Sequence, residues 1–161
     1  MKITSDIFGV LKEEDGSIYK QIELSLNGIS QNCSFFTSIQ SKKRLEESIS
    51  FLDKNFIALN QQSKESIVNL YKNGNSIVKD FVQCQLDEIK EALLEKFNVK
   101  EISLEFFLTK LKLSGVSIQD SNDQESFKIN FDYCIDEELS DELLVLYFDK
   151  NGEFILVAHE S

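Results

Sequence analysis

Proline is absent from this chain of 161 residues, and glycine occurs only six times. Without proline there is no proline-rich linker, and the sequence contains no internal repeat or low-complexity tract that would divide it. The glycines form neither GxGxxG nor GxxxxGKS/T, which removes the usual backbone cradles for dinucleotides and nucleoside triphosphates. Because the length suits one unit with its own core, we predict a single domain over residues 1–161.

Histidine and cysteine are also scarce. His159 is the only histidine, which excludes a two-histidine metal site or mechanism within one chain, and we expect it to be an exposed residue near the chain end. Cys33, Cys84 and Cys134 are odd in number, widely spaced and never arranged as CxxC, so we expect reduced thiols. No nucleophile lies in a motif such as GxSxG. We therefore predict no catalytic residue, cofactor or metal, and we expect chelators to leave the stability unchanged.

Basic residues are outnumbered, since 17 Lys and Arg stand against 28 Asp and Glu and the formal net charge is -11. Such a surface repels phosphate backbones and anionic membranes, which disfavours nucleic acid and membrane as partners. Residues 1–6 contain no apolar signal core, and no apolar run approaches the roughly 20 residues of a membrane helix. We expect a cytoplasmic protein that the charge also keeps in solution.

Alternation of apolar and polar residues marks the first part of the chain. Every second residue is apolar over residues 22–26, as in a strand with one face on the core. The dipeptides Asp15-Gly16 and Asn27-Gly28 are hairpin signals. Residues 7–38 are therefore predicted to form a meander of three strands.

The apolar spacing then changes to three and four residues, which predicts helices over residues 41–111. The pattern indicates one helix over 45–59 and a second that begins with Ser63 as its N-cap. The segment 73–75, with Gly74 at its centre, should break or kink the helical region. A third helix is predicted over 77–97 and a short one over 104–111.

Alternation returns over residues 113–159 and is clearest at 127–135. Residues 143–148 are apolar at every position, as in a strand covered on both faces, and a turn at 149–152 leads to a last strand. Because strands and helices are grouped rather than alternating, we predict an α+β fold. Its antiparallel sheet combines the N-terminal meander and the C-terminal strands, with the central group of helices packed on one face.

Two charged segments invite a ligand interpretation. The basic triplet at 42–44 begins a helix and could capture an anion, but Glu46 and Glu47 favour a solvated, balanced turn. The acidic segment 120–125 begins like a calcium-binding EF-hand loop. It fails because Glu125 stands where the glycine must be and Phe131 where the bidentate Glu must be.

A second acidic segment joins two strong strands and carries five carboxylates: Asp136, Glu137, Glu138, Asp141 and Glu142. Nothing apolar in the sequence nearby would raise their pKa values, so acid and base chemistry is not indicated. The first interpretation is a solvated loop. The second is a docking patch for a basic partner, to which these five residues would contribute.

The ends of the chain resemble a known group of proteins. The segment 143–154 (LLVLYFDKNGEF), closing on Glu160-Ser161, and the opening segment 8–11 (FGVL) are similar to an uncharacterised family of small acidic bacterial proteins. Some families of this sort are regarded as immunity proteins of bacterial toxin systems. The resemblance implies such a role, and it brings no active-site assignment.

These observations favour a non-enzymatic, acidic protein-interaction domain, of the immunity type if the resemblance holds, which binds a basic toxin as a monomer or weak dimer. The alternative is a small-molecule-binding protein or hydrolase with a pocket between sheet and helices. Its only support is the aromatic content, including 13 Phe. A third interpretation is a structural domain of a larger assembly.

Overall fold

A computed structural model describes residues 1–161. Eleven elements follow one another along the chain: β1 (Lys2–Ser5), β2 (Gly9–Lys12), β3 (Ile18–Leu26), β4 (Ile29–Thr37), α1 (Lys42–Lys72), α2 (Ser76–Phe97), α3 (Leu104–Thr109), β5 (Lys112–Asp120), β6 (Phe127–Cys134), β7 (Leu143–Asp149) and β8 (Phe154–Glu160). The grouping of strands, helices and strands is the predicted one, and the α+β class is confirmed.

Six strands form one sheet in the order β3-β4-β5-β6-β7-β8. Every neighbouring pair is antiparallel except β4 and β5, which run parallel from Ser34 opposite Gly115 to Thr37 opposite Ile118. The prediction of a wholly antiparallel sheet is corrected at this pair. The chain between β4 and β5 passes through all three helices, and a connection of that length can return it in either direction.

The first two strands stand apart from the sheet as a hairpin. Two N-terminal strands rather than the predicted three therefore join the sheet. The Asp53 carboxylate of α1 holds the hairpin turn, because it accepts hydrogen bonds from Ser5 Oγ (2.6 Å) and the Asp6 N–H (2.8 Å). Phe8 follows and packs its ring 4.8 Å from that of Phe35 in β4. The alternation of apolar and polar residues in the sequence does not predict these contacts.

Helix α1 is continuous through the position where a second helix was predicted to begin. Ser63 is buried, and its hydroxyl donates to the Leu59 carbonyl at 2.8 Å instead of capping a new helix. The predicted break at 73–75 is present: Gly74 has a positive φ of 80°, and the Asn75 side chain accepts from the Val78 N–H to cap α2. The helical segment is thus two long helices and one short one.

The helices cover one face of the sheet. Phe56 of α1 packs against Phe131 of β6, and Phe81 of α2 packs against the ring of His159 in β8. The core is one cluster of 31 buried residues that includes members of all eleven elements. None of the three helices has the length and apolar composition that a membrane crossing requires. The opposite face of the sheet carries no helix.

Candidate binding site on the helix-free face of the sheet

Strand alternation assigns side chains to the helix-free face. In β6, Phe131 and Tyr133 contact α1, so the residues that alternate with them, Asn130 and Asp132, point to the other side. The register extends this row, because Asp132 lies opposite Gly115 of β5 on one side and Val145 of β7 on the other.

Small side chains occupy the middle strands of this face. Across β4, β5 and β6 they are Ser34, Gly115, Ser117, Asn130 and Asp132, which we call the trough. Larger side chains border the trough on both sides. Phe36 lies opposite Ser117 on the β4 side, and Tyr147 lies opposite Asn130 on the β7 side.

Gly115 sets the depth of the trough. A Cβ atom at this position would lie 2.9 Å from Ser34 Oγ, closer than real Cβ atoms come, and 3.0 Å from Asp132 Oδ2, which is tighter than most real Cβ contacts. Its backbone φ is ordinary, so the glycine serves this close approach and not a turn. The Asp132 carboxylate can therefore lie low over the sheet.

Asp132 is in an unfavourable electrostatic position. Burial, together with the negative charge of Glu160, raises the pKa of Asp132 to about 7, and no cation or hydrogen-bond donor in the chain opposes this. The neighbouring Asn130 side chain is only 3% exposed, and its Oδ1 has no hydrogen-bond partner. Asn130 Oδ1 thus lacks a donor, which is unusual for a buried polar group, and the half-buried Asp132 carboxylate has no donor within the chain.

The border of the trough combines apolar surface with further negative charge. Tyr147 donates its hydroxyl hydrogen bond to Glu160 Oε1 at 2.8 Å. Burial and this contact with Glu160 raise the pKa of Tyr147 to about 12. Tyr19 (64% exposed), Phe36 and Leu156 (47% exposed) present large apolar side chains to solvent on the same face. Surfaces of this kind mark interaction sites.

Lys128 is the basic residue of β6 on this face. Its Nζ lies 5.5 Å from the centre of the Tyr147 ring, a cation–π contact, and Lys128 lies opposite Asp149 in β7. Lys128 does not offset the charge of Asp132, since burial and Glu160 alone act on the pKa of that carboxyl group.

The five carboxylates predicted as a solvated loop or docking patch separate into three groups. Asp136 is 2% exposed, and its carboxylate pairs with Lys96 and accepts from the Glu138 N–H (2.9 Å) and Leu139 N–H (3.2 Å). Burial opposes its ionisation, but these hydrogen bonds outweigh burial and lower the pKa of Asp136. The expectation that Asp136 is solvated is wrong, because its carboxylate organises the turn.

Glu142 is likewise engaged, since its carboxylate is in hydrogen-bond contact with the His159 imidazole. His159 is partly buried between Glu142 and the edge of the Phe81 ring, at 5.3 Å between ring centres, which corrects the expectation of an exposed residue near the chain end. Glu137, Glu138 and Asp141 are exposed. Glu137 shares a cavity of about 390 Å³ with Glu23, which places it at one end of the helix-free face.

The other charged segments are satisfied locally. Arg44 pairs with Asp120 of β5, while Lys42 and Lys43 pair with Glu46 and Glu47 one turn along α1, as the interpretation of a balanced turn predicts. In the failed calcium loop the Asp123 carboxylate accepts from the Ser121 hydroxyl and from the Glu125 N–H at 3.0 Å.

The interior does not display the pocket of the small-molecule alternative. Aromatic rings fill the space between sheet and helices, with Phe56, Phe131 and Phe148 packed at 5.7 and 6.0 Å between ring centres. A cavity of about 750 Å³ is an open cleft between α1 and α3 that includes Val68 and Leu108. It is lined mainly by side chains of the helix surfaces.

The three thiols differ in accessibility, and the difference is testable. Burial raises the pKa of Cys33 to about 12 and that of Cys134 to about 11, whereas Cys84 of α2 is partly exposed. Burial and the nearby Glu88 carboxylate also raise the pKa of Cys84, so its exposure is what distinguishes it. We expect Cys84 to react faster with a thiol reagent than the other two thiols of the native, metal-free protein, and three thiols to react after denaturation. A denatured count of one would show that a disulfide is present.

Comparison of the chain with protein-family models, curated proteins and solved structures finds no match. The trough was not predicted from the sequence, because Asn130 and Asp132 look like ordinary outward residues of an alternating strand. The one available signal in the sequence was Gly115 itself, because a glycine inside a strand often marks the close approach of another group to the backbone.

Proposed function

We propose that the protein is a non-enzymatic binding module that receives a basic partner protein on the helix-free face of its sheet. The observation that carries the proposal is the Asp132 carboxylate, which is held against Gly115 without a donor or cation, beside the unpartnered Asn130 Oδ1. A protein retains an unfavourable group of this kind where the group serves binding or chemistry.

The chemistry of the trough favours a cationic donor. A carboxylate and an amide oxygen accept hydrogen bonds and donate none from those atoms, so the complementary group must supply several N–H donors and positive charge. An arginine guanidinium meets both requirements through its planar array of donors. It would also relieve the repulsion between Asp132 and Glu160.

The surroundings suit a protein rather than a small ion. Tyr19, Phe36 and Leu156 offer the apolar contacts from which protein interfaces gain affinity. The net charge of -11 would accelerate encounter with a basic protein. If the resemblance of the chain ends to the small acidic bacterial family extends to function, the partner is a basic toxin and the protein is its immunity protein.

Under this proposal, only some of the five carboxylates predicted as a docking patch take part in binding. Of its five residues, Glu137, Glu138 and Asp141 remain exposed and available to a partner. Glu137 and Glu23 lie with Lys112 around one cavity at the end of the helix-free face, so two carboxylates and one ammonium group lie beyond the trough there. Rim charges of this kind act mainly on the association rate.

Affinity capture from the native cell tests the proposal. Wild-type protein and an Asp132→Asn variant serve as baits at pH 8, where Asp132 is ionised, and an Asp80→Asn variant on the exposed surface of α2 is the matched control. We expect the variant to bind the captured basic partner at least about tenfold more weakly and the control to bind normally. Equal affinities for wild type and Asp132→Asn would contradict the proposal.

A defined probe complements the capture. We expect an arginine-rich peptide, titrated into isotopically labelled protein, to shift the NMR signals of β4, β5 and β6 around the trough, with an effect that weakens as salt is added. Shifts confined to the acidic loop at 136–142 would instead identify that loop as the binding surface.

A further inference from the structure

A second cluster lies on the opposite, helix-covered face of the sheet, at its β8 edge. Cys84 of α2, Glu142 before β7 and His159 of β8 bring a thiol sulfur, a carboxylate oxygen and an imidazole nitrogen within 4.8 Å of one another. The three residues come from three separate elements, so no spacing motif announces them in the sequence.

Contacts beyond the three side chains hold them in place. His159 is fixed by its pairing opposite Leu144 and by the edge of the Phe81 ring at 5.3 Å. The helix and the loop are joined through Gln85, the residue after Cys84, whose amide donates to Ser140 Oγ at 3.0 Å. The same oxygen accepts from the Glu142 N–H at 3.2 Å. Outer hydrogen bonds of this type orient the ligands of metal sites.

The donor set has a defined chemical preference. Thiolate, imidazole and carboxylate together suit a borderline-soft divalent ion, above all zinc, whose bonds to these groups measure about 2.0–2.3 Å. Tetrahedral coordination with such bonds separates the ligand atoms by roughly 3.3–3.8 Å. Small side-chain rotations suffice to reach this spacing from the present arrangement, in which His159 and Glu142 are in direct contact.

The local charge also favours a cation. Besides Glu142, the Glu88 carboxylate lies 3.6 Å from Cys84 Sγ, on the next turn of α2. His159 and Glu142 are partly exposed, with 24% and 18% of their side chains accessible, so an ion can enter from solvent. Three protein ligands would leave a fourth position for water.

We propose that Cys84, Glu142 and His159 form a site for a divalent transition-metal ion of the zinc type, with a fourth position open to solvent. A metal ion at this site would link α2 to the edge strand β8 and to the β6–β7 connection. This proposal is independent of the function proposed for the helix-free face, and it replaces the expectation from sequence that chelators leave the stability unchanged.

The test uses tag-free, chelator-treated full-length protein and titration with zinc or cobalt. We expect one ion per chain, a thiolate-to-cobalt charge-transfer band with the visible absorption of a tetrahedral complex, and a higher melting temperature that EDTA reverses. Cys84→Ser and His159→Gln should each weaken zinc binding at least about tenfold, whereas Glu138→Gln, an exposed carboxylate of the same connection, should not.

A measurement on the wild-type protein keeps the test decisive if a variant does not fold. Zinc should slow alkylation of Cys84 at least about tenfold while leaving the thiol count after denaturation in EDTA at three. The absence of stoichiometric zinc binding, binding that survives both substitutions, or alkylation of Cys84 at an unchanged rate would overturn the site.

Discussion

Replacement of Asp132 by asparagine is expected to stabilise the protein at pH 8, by about 2–4 kcal/mol. The isolated carboxyl group titrates near 3.8, whereas burial and Glu160 raise the pKa of Asp132 to about 7 in the folded protein. At pH 8 the folded state must hold a carboxylate in a position that disfavours charge. Asparagine keeps the shape of the side chain and removes the charge.

The pH dependence of this effect has a definite sign. The folded state binds the Asp132 proton more tightly than the unfolded state, so the group favours folding below pH 4, where it is protonated in both states. This stabilising contribution falls as the pH rises from about 4 to about 7, and the effect of the group on stability does not change further above that range. The stability advantage of Asp132→Asn should therefore grow over this window and then level off.

Urea unfolding of wild type, Asp132→Asn and Asp80→Asn between pH 4 and pH 9 measures the difference. The Asp80 variant controls for the loss of one negative charge from a strongly acidic protein, which by itself relieves some repulsion. A stability difference between Asp132→Asn and wild type that does not change with pH would contradict the raised pKa of Asp132. If Asp132→Asn is more stable than wild type and also binds the captured partner more weakly, the two results together identify Asp132 as a binding residue.

Replacement of Asp136 by alanine is expected to have the opposite effect and to destabilise the fold by about 2–4 kcal/mol. Its buried carboxylate satisfies two backbone N–H groups of its own turn and the ammonium group of Lys96. Removing it leaves the N–H groups of Glu138 and Leu139 without their acceptor in a partly buried turn.

The exposed members of the same connection provide the control. A triple variant, Glu137→Gln with Glu138→Gln and Asp141→Asn, should stay within about 0.5 kcal/mol of wild type because these side chains are exposed. Neutralising all five carboxylates would therefore not be a clean test of partner binding, since the loss of Asp136 perturbs the fold itself. Equal stability of Asp136→Ala and the triple variant would show that the Asp136 interactions contribute nothing.

Acid should reproduce part of the Asp136→Ala effect. Although burial opposes ionisation, the contact with Lys96 and the backbone N–H groups lower the pKa of Asp136. The stabilisation is present above the ordinary aspartate pKa of 3.8 and is lost as the pH falls through the lower folded value. The free energy of unfolding of wild type should thus fall to that of Asp136→Ala only in strong acid.

The sequence predicted the parts of the fold that depend on local patterns. Spacing of apolar residues identified the helical segment and the strands at 127–135 and 143–148, because burial of one face imposes that spacing wherever the partner lies. Ser63 misled the prediction, since a serine inside a helix can donate to the carbonyl four residues earlier as readily as it can cap a helix.

The functional candidates depend on contacts that no local pattern encodes. Whether Asp132 has a counter-ion is decided by its neighbours on β5, β7 and β8, and Gly115 matters only because Ser34 and Asp132 lie on either side of it. Cys84, Glu142 and His159 meet because α2 packs against β7 and β8. Alternation assigns a residue to a face, but it does not say what else that face contains.

The parallel pairing of β4 with β5 has a consequence for folding kinetics. The β3–β4 hairpin and the β5–β8 meander each join neighbours in sequence, whereas the β4–β5 ladder joins Ser34 to Gly115 across the whole helical segment. Short loops close early because little chain entropy is lost when their ends meet. The β4–β5 pairing closes a much longer loop, so it forms only after a larger loss of chain entropy. We expect the two hairpin arrays to form first and their docking along β4 and β5 to limit the rate. Because the trough is built on both sides of that junction, it would be among the last features of the molecule to be completed.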